Sequence, residues 1–479
     1  MMSEPRRLHP IAAVSNVLKT LKDSIIPILI IVVFGNSEGK IQLFITIGII
    51  ALILISGILT WLRFTYRIEE GELRIESGLI IRKKRYIPFE RIQSLDLSEG
   101  ILQRPFGLVK MTIETASSGL EAEAILTAIS KNEAQQIQDI LSQSKNAHIE
   151  LDEQIETEQK EEQILYQIKP GELILLSSTS GGVGVVISAV FAFLSQFAEV
   201  IPYEKVFDEL SVFITGGVML ISLMVFLGFV LAWLIALIGS VLKYANFTVR
   251  KVGEELVITR GLLEKKQLTI PLHRIQALRI NENPVRQAIG YASVYLESAG
   301  GSLKDADSSK VMLLPIIKKN RIREKIETGL NDYQLTDMFV PAPKRALRRY
   351  ILRGLFISVP VAVILLYFFS VWGLFSLVFV GLMLILSYYR YKAAGWTIIG
   401  NQLVLRSRFI SKTTVYLRKN RTQSISMKET YFQKQNQLAT ISAKAMSGSG
   451  ATGGDVVDLE VEDVLSIYKW YSYTPENTE

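Results

Sequence analysis

Hydrophobic and polar positions along the chain alternate between two regimes. Long apolar runs come in pairs, and a polar region with shorter apolar alternation follows each pair. The pairs are roughly Val17–Phe34 with Ile41–Leu62, Leu173–Phe197 with Val212–Leu242, and Ile351–Phe369 with Val371–Tyr389. About 20 apolar residues wound as a helix cross about 30 Å of hydrocarbon, so the pattern predicts six transmembrane helices in three hairpins. Lys19, Lys22 and Asp23 sit in the opening turns of the first run, which is expected to begin in the interface and run obliquely. A second apolar run follows it at once, which fits an uncleaved anchor better than a signal peptide.

The polar regions read as strands closed by a helix. In the first, Leu73 and Ile75 alternate up to Gly78, and Leu79 to Ile87 return. The glycine permits a turn that other residues resist, so this is a hairpin. Val109, Met111 and Ile113 mark a later strand, and Ile137, Ile140 and Leu141 the apolar side of a helix over about Lys131 to Leu141. Corresponding helices are expected near Lys319 to Leu330 and Val461 to Tyr471. The predicted fold class is therefore an α+β membrane protein, each hairpin followed by a small antiparallel β-barrel or sandwich capped by a C-terminal helix. The expected boundaries are 1–62 for an N-terminal segment and hairpin 1, 63–143 for domain 1, and 144–170 for an acidic linker. Hairpin 2 takes 171–242, domain 2 takes 243–332, and a basic linker takes 333–350. Hairpin 3 takes 351–389 and domain 3 takes 390–479. Ser144 to Gln163, rich in Glu, Asp and Gln, reads as a surface helix or tether, and Ser447 to Gly454, rich in Gly and Ser, as a mobile hairpin loop.

The polar regions are copies of one another. Thr65 to Ser117 aligns without a gap against Thr248 to Gly300. Glu72, Leu73, Ile75, Gly78 and Leu79 fall on Glu255, Leu256, Ile258, Gly261 and Leu262, and Pro88, Arg91, Ile92 and Gln93 on Pro271, Arg274, Ile275 and Gln276. A third copy is more diverged: Leu403, Leu405, Arg421 and Gln423 keep their places, whereas the turn glycine has become Arg408 and the proline Arg418. An internal repeat of this kind means one structural unit used three times.

Charge sets the expected orientation. Arg6, Arg7, Arg63, Arg67, Lys243, Arg250, Lys344, Arg345, Arg390 and Lys392 flank the apolar runs on one side. The loop between the third and fourth runs carries Glu199, Glu204, Asp208 and Glu209 against Lys205. Cationic flanks stay in the cytoplasm, so both termini and all three large domains are expected there, in a multi-pass protein of the cell membrane. The chain has 479 residues, 49% of them hydrophobic, and charged residues are nearly absent from the runs. Ion relays and voltage sensors need charges at that depth, which disfavours coupled transport. The net charge of +7 lies largely at the membrane flanks and no reading motif accompanies it, so no nucleic acid is expected. The chain has no cysteine and three scattered histidines, so neither a metal nor a cofactor is expected, and no acid/base constellation points to an enzyme.

Two sets of residues remain as candidates for binding a partner or a lipid. Arg82, Lys83, Lys84 and Arg85 crowd the first hairpin; they either rest on anionic headgroups or form a solvated edge whose cations discourage sheet pairing. Arg91 with Gln93, Arg274 with Gln276, and Arg421 with Gln423 recur in every copy. They either take a phosphate or carboxylate or pair within the fold, and recurrence makes the fold-maintaining role the simpler one.

The motif L-x-I-x-x-G-L followed by P-x-x-R-I-Q, carried by Leu73, Ile75, Gly78, Leu79, Pro88, Arg91, Ile92 and Gln93 and repeated from Leu256 to Gln276, resembles the bacterial pleckstrin-homology-like membrane proteins over nearly the whole chain. The resemblance implies a PH-like fold for each domain and a partner, a small membrane protein with a single such domain. It implies no established activity. The resulting expectation is a non-enzymatic scaffold that presents three PH-like domains to a partner membrane protein or to membrane lipids, in envelope homeostasis or protection from membrane-active compounds. The alternative is a transporter or exporter component with a path through the six spans.

Overall fold

The computed structural model describes residues 4–24, 39–79, 81–115, 124–147, 162–180, 188, 218–298, 310–369, 373–447 and 450–472. Unit 1 runs β1 (Arg6–Arg7), α1 (Ile11–Asp23), α2 (Gly39–Leu62), β2 (Thr65–Glu69), β3 (Glu72–Ser77), β4 (Lys83–Pro88), β5 (Ile92–Glu99), β6 (Leu108–Thr115), β7 (Ala124–Ser130) and α3 (Lys131–Ala147). Unit 2 repeats the order as β8 (Glu162–Gln167), α4 (Pro170–Thr179), α5 (Val218–Tyr244), β9 (Thr248–Val252), β10 (Glu255–Arg260), β11 (Lys265–Pro271), β12 (Ile275–Glu282), α6 (Pro284–Ala288), β13 (Tyr291–Ser298), β14 (Lys310–Lys318) and α7 (Lys319–Gly329). Unit 3 follows as β15 (Val340–Pro341), α8 (Ala346–Phe369), α9 (Phe375–Ala393), β16 (Gly395–Ile399), β17 (Gln402–Arg408), β18 (Lys412–Arg418), β19 (Thr422–Lys428), α10 (Tyr431–Lys434), β20 (Leu438–Ser447), β21 (Gly450–Glu460) and α11 (Val461–Tyr471).

Among the described residues three helices are long and apolar enough to cross a membrane: Phe44–Leu62 in α2, Phe226–Tyr244 in α5, and α8. Their large side chains point outward, Phe44 being 71% and Phe356 83% exposed, as lipid-facing residues are. The expected spans at Val17–Phe34 and Leu173–Phe197 lie largely outside the described residues. α8 and α9 pack through small residues: a Cβ on Gly354 would stand 2.3 Å from Ser387 Oγ, and Ser376 Oγ donates to the Ala362 carbonyl at 3.4 Å. Small residues bring helices close where no water drives them together.

The expected barrel or sandwich of each unit is built from antiparallel sheets, two of which pass between units. β1-β2-β3-β4 form a four-stranded sheet and β19-β20-β21 a three-stranded one, but the other fourteen strands form two sheets of seven. One has the order β7-β6-β5-β11-β10-β9-β8, the other β14-β13-β12-β18-β17-β16-β15. The second half of each unit thus continues into the first half of the next. The apolar cores follow: Val404 and Tyr416 of unit 3 pack in the core of unit 2, and Ala277 of unit 2 in that of unit 3.

Two connectors differ from their expected form. The acidic stretch ends in a strand, since β8 pairs antiparallel with β9, and the basic linker contains β15, paired with β16. β1 pairs with β2 in the same way. Among the described residues each unit therefore has one strand before its long helices and six after them. The Gly/Ser segment, expected as a loop, is strand from Gly450 onward, Ala443 standing opposite Gly454. The reason is space: a Cβ on Gly453 would lie 1.8 Å from the Ala443 carbonyl. Residues 448 and 449 of that segment, and 148–161 of the acidic stretch, lie outside the described residues.

Candidate functional site

The joints between units are the place where the repeated residues meet. At the first, β11 lies antiparallel to β5 with Lys265 opposite Glu99 and Thr269 opposite Leu95. At the second, β18 lies antiparallel to β12 with Lys412 opposite Glu282 and Tyr416 opposite Leu278. Lys265 and Lys412 are repeat-equivalent, as are Glu99 and Glu282, so both joints use one register. Lys412 Nζ lies 2.6 Å from Glu282 Oε1, both side chains nearly buried. Burial pulls the ammonium below its ordinary value, and the Glu282 hydrogen bond opposes that shift.

The repeated arginine closes the joint. Arg274 ends the short turn after β11, and its Nη2 donates to the carbonyl of Ile92, in unit 1, at 3.3 Å. Gln276, buried, donates from Nε2 to the Arg274 carbonyl at 3.1 Å and fixes the turn. Desolvation lowers Arg274 to about 10 despite Glu255 nearby. At the second joint Arg421 lines a cavity of about 280 Å³ with Ile275, the counterpart of Ile92, and with Arg418. Gln423 is exposed, unlike Gln276. Arg91 of unit 1 is exposed; Gln93 is the second residue of β5, and its side chain lies outside the described residues.

The basic hairpin is an edge. Lys83, Lys84 and Arg85 lie on β4, the outer strand of the four-stranded sheet, and are exposed. Arg82 and Lys84 are ion-paired to Glu76 on β3. At the tip of each first hairpin stand exposed apolar residues: Ile81, Leu262 with Leu263, and Phe409 with Ile410. Two tips touch the end of the long helix before them, since Leu262 N–H donates to the Leu242 carbonyl at 2.9 Å and Arg390 Nε to the Phe409 carbonyl at 2.8 Å. The departures in unit 3 have physical roles: Arg408 donates to Gln287 of unit 2, and Arg418 pairs with Asp332 ahead of hairpin 3.

One repeated position escaped the sequence reading because its identity changes. Gln103, Arg286 and Gln433 are repeat-equivalent, and each ties its unit to the first helix of the unit's hairpin. Gln103 Nε2 donates to Ser15 Oγ in α1 at 3.2 Å. Arg286, buried, donates from Nε to Thr179 Oγ1 at 2.8 Å and from Nη2 to the Leu176 carbonyl at 3.3 Å, both in α4. Gln433 Nε2 donates to Asp458 Oδ1 at 2.8 Å. The fully buried Asp458 then accepts from Arg349 Nε at 3.1 Å and Arg353 Nη2 at 2.6 Å, both in α8.

A second cavity, of about 310 Å³, lies at the first joint between Asp96, Lys110 and Thr112 of unit 1 and Arg260, Glu264 and Lys310 of unit 2. Its lining mixes both charges, so it has no single-sign field for a phosphate. Among the described residues no group of histidines and carboxylates is placed to hold a metal.

The family described as Bacterial PH domain matches three times, at residues 22–145, 189–330 and 355–474. The UPF0699 transmembrane protein YdbT of Bacillus subtilis (strain 168) is 40% identical over 489 residues, covering 99% of each chain. No solved structure matches.

Proposed function

The chain belongs to the bacterial PH domain family, and from that premise we propose that it is a non-enzymatic, multi-pass membrane scaffold. In this reading six helices cross the membrane in three hairpins, and three PH-like domains stand on the cytoplasmic side with both termini. The strands on either side of each hairpin are neighbours in one sheet, β1 with β2, β8 with β9 and β15 with β16. Both ends of each hairpin therefore leave from the same domain, which supports a single side for all three, and the cationic flanks favour the cytoplasm as that side.

The observation that carries the proposal is the shared sheets. Two seven-stranded sheets run from unit to unit, so the domains offer one continuous surface. Contacts too weak for a single domain add up when domains are held in an array. The occupant is a partner membrane protein, a small one with a single PH-like domain, with lipid headgroups near the apolar tips. The physiological setting follows from location: envelope homeostasis or protection from membrane-active compounds.

Mild extraction of the full chain from native membranes, followed by mass spectrometry, tests this reading. A membrane protein recovered in stoichiometric amount is expected. Movement of solute by the purified chain alone in proteoliposomes would overturn the scaffold in favour of a path through the spans.

A further inference from the structure

The register that joins the units is used twice, and the chain presents its basic half once more with nothing opposite it among the described residues. β4 is the counterpart of β11 and β18, each of which carries the second half-sheet of a preceding unit. The positions that the joints cover are open on β4. Tyr86 is 51% exposed, whereas its counterpart Tyr416 is 3% exposed beneath β12. Arg82 stands where Lys265 and Lys412 meet Glu99 and Glu282. Arg91 is exposed where Arg274 reaches across to a carbonyl of the neighbouring unit. This edge therefore carries the terminal cation and aligned strand of both joints, and the arginine that closes the first.

We propose that β4 is a docking edge for a PH-like domain of another chain. That domain adds its sheet antiparallel to β4 in the register of the two internal joints, with carboxylates opposite Arg82 and Lys83. The proposal rests on the scaffold reading and names the surface it uses. Sheet edges bind strands through main-chain hydrogen bonds, and facing side chains select the partner.

Charge argues against a second copy of this chain as the occupant. The strand of unit 3 that corresponds to β5 and β12 is β19, an edge of its sheet. In the common register Glu429 would face Arg82, but Lys428 would face Lys83, and like charges directly opposite are destabilising. A lipid headgroup could sit beside Arg82 to Arg85 yet would leave Tyr86, Arg91 and the recurring register without a role.

The test uses the full chain in native membranes with a photo-crosslinking amino acid in place of Tyr86, and mass spectrometry of the adduct. The expected adduct is another protein, joined through the strand after its own P-x-x-R-I-Q turn, the place that β5 and β12 hold here. Arg82→Glu with Lys83→Glu should lower its yield by about tenfold or more. If that variant fails to fold, Arg91→Gln, at an exposed turn, should lower it as well. The chain has no cysteine, so Arg82→Cys with a cysteine at the facing carboxylate should form a disulfide only in this register. An adduct to the chain's own Thr422–Lys428, or to lipid alone, overturns the proposal. A protein that co-purifies but crosslinks elsewhere overturns the edge and leaves the scaffold standing; recovery of no protein partner overturns both.

Discussion

Gly261 turns at φ +103°, and a Cβ there would lie 2.0 Å from the Glu264 carbonyl. Gly78 repeats the conformation at +113° with the Ile81 carbonyl equally close. Gly261→Ala should cost about 1–3 kcal/mol, the usual range for a forced left-handed conformation, read as a lower melting temperature of the detergent-solubilised chain. Arg408, at the third position, is not among the positive-φ residues, so Arg408→Gly should bring no such relief. Asp458 is a different case, since its side chain is fully buried, its φ is +58°, and it accepts from Arg349, Arg353 and Gln433. Asp458→Asn keeps a residue that tolerates this conformation and removes the charge. It should cost about 3–5 kcal/mol, because Arg349 loses its paired carboxylate in a largely buried place. A melt that did not move would mean that water already screens the cluster. The turn glycines were legible in the sequence because only glycine suits that backbone. The anchor at Gln103, Arg286 and Gln433 was not, because unit 2 meets its helix with an arginine where units 1 and 3 carry glutamine, and each of the three reaches a different partner.

At the scale of elements, alternation marked the hairpins and the closing helices well, since Leu73 with Ile75 and Leu403 with Leu405 each line one face. Strand partners were not marked. β8 is six residues in an acidic stretch and β15 is two, too short and too polar to show a period of two. That β11 pairs with β5 rather than within its own unit depends on residues far apart in the chain. The Lys412–Glu282 pair measures what such a joint contributes. Where the ammonium is charged in both states, the cost of burying it is fully present. Its folded value is lowered, so beneath its ordinary value of 10.5 the folded chain sheds a proton that the unfolded chain keeps. Stability therefore rises with pH in that window. Glu282→Gln removes the opposing hydrogen bond to a carboxylate and should cost about 3 kcal/mol near neutrality, the loss shrinking as pH approaches 10.5. Lys412→Met with Glu282→Leu should melt close to the parent chain, since a well-packed apolar pair replaces a buried ion pair at little net change. Melting curves at several pH values check both.

Over the whole molecule, the edges that β4 and β19 present at the joint position bear on whether copies of the chain join one another. β4 at one end and β19 at the other are complementary halves of the joint used twice inside the chain, and a head-to-tail contact of this type closes into a ring or runs on as a filament. All three units leave their hairpins on one side in the proposed topology, so such an assembly would lie parallel to the membrane with nothing to stop it. Lys428 opposite Lys83 supplies the obstacle. Lys428→Glu turns that opposition into attraction, adjoining the Arg82 and Glu429 match already present. The variant should form particles larger than the parent chain, growing with protein concentration and shrinking with salt, as followed by light scattering after gel filtration in detergent. Particles of unchanged size would mean that facing charge does not govern these edges. Growth would mean that the sequence of β19 is held away from self-recognition while β4 stays basic, as an edge reserved for an acidic partner requires.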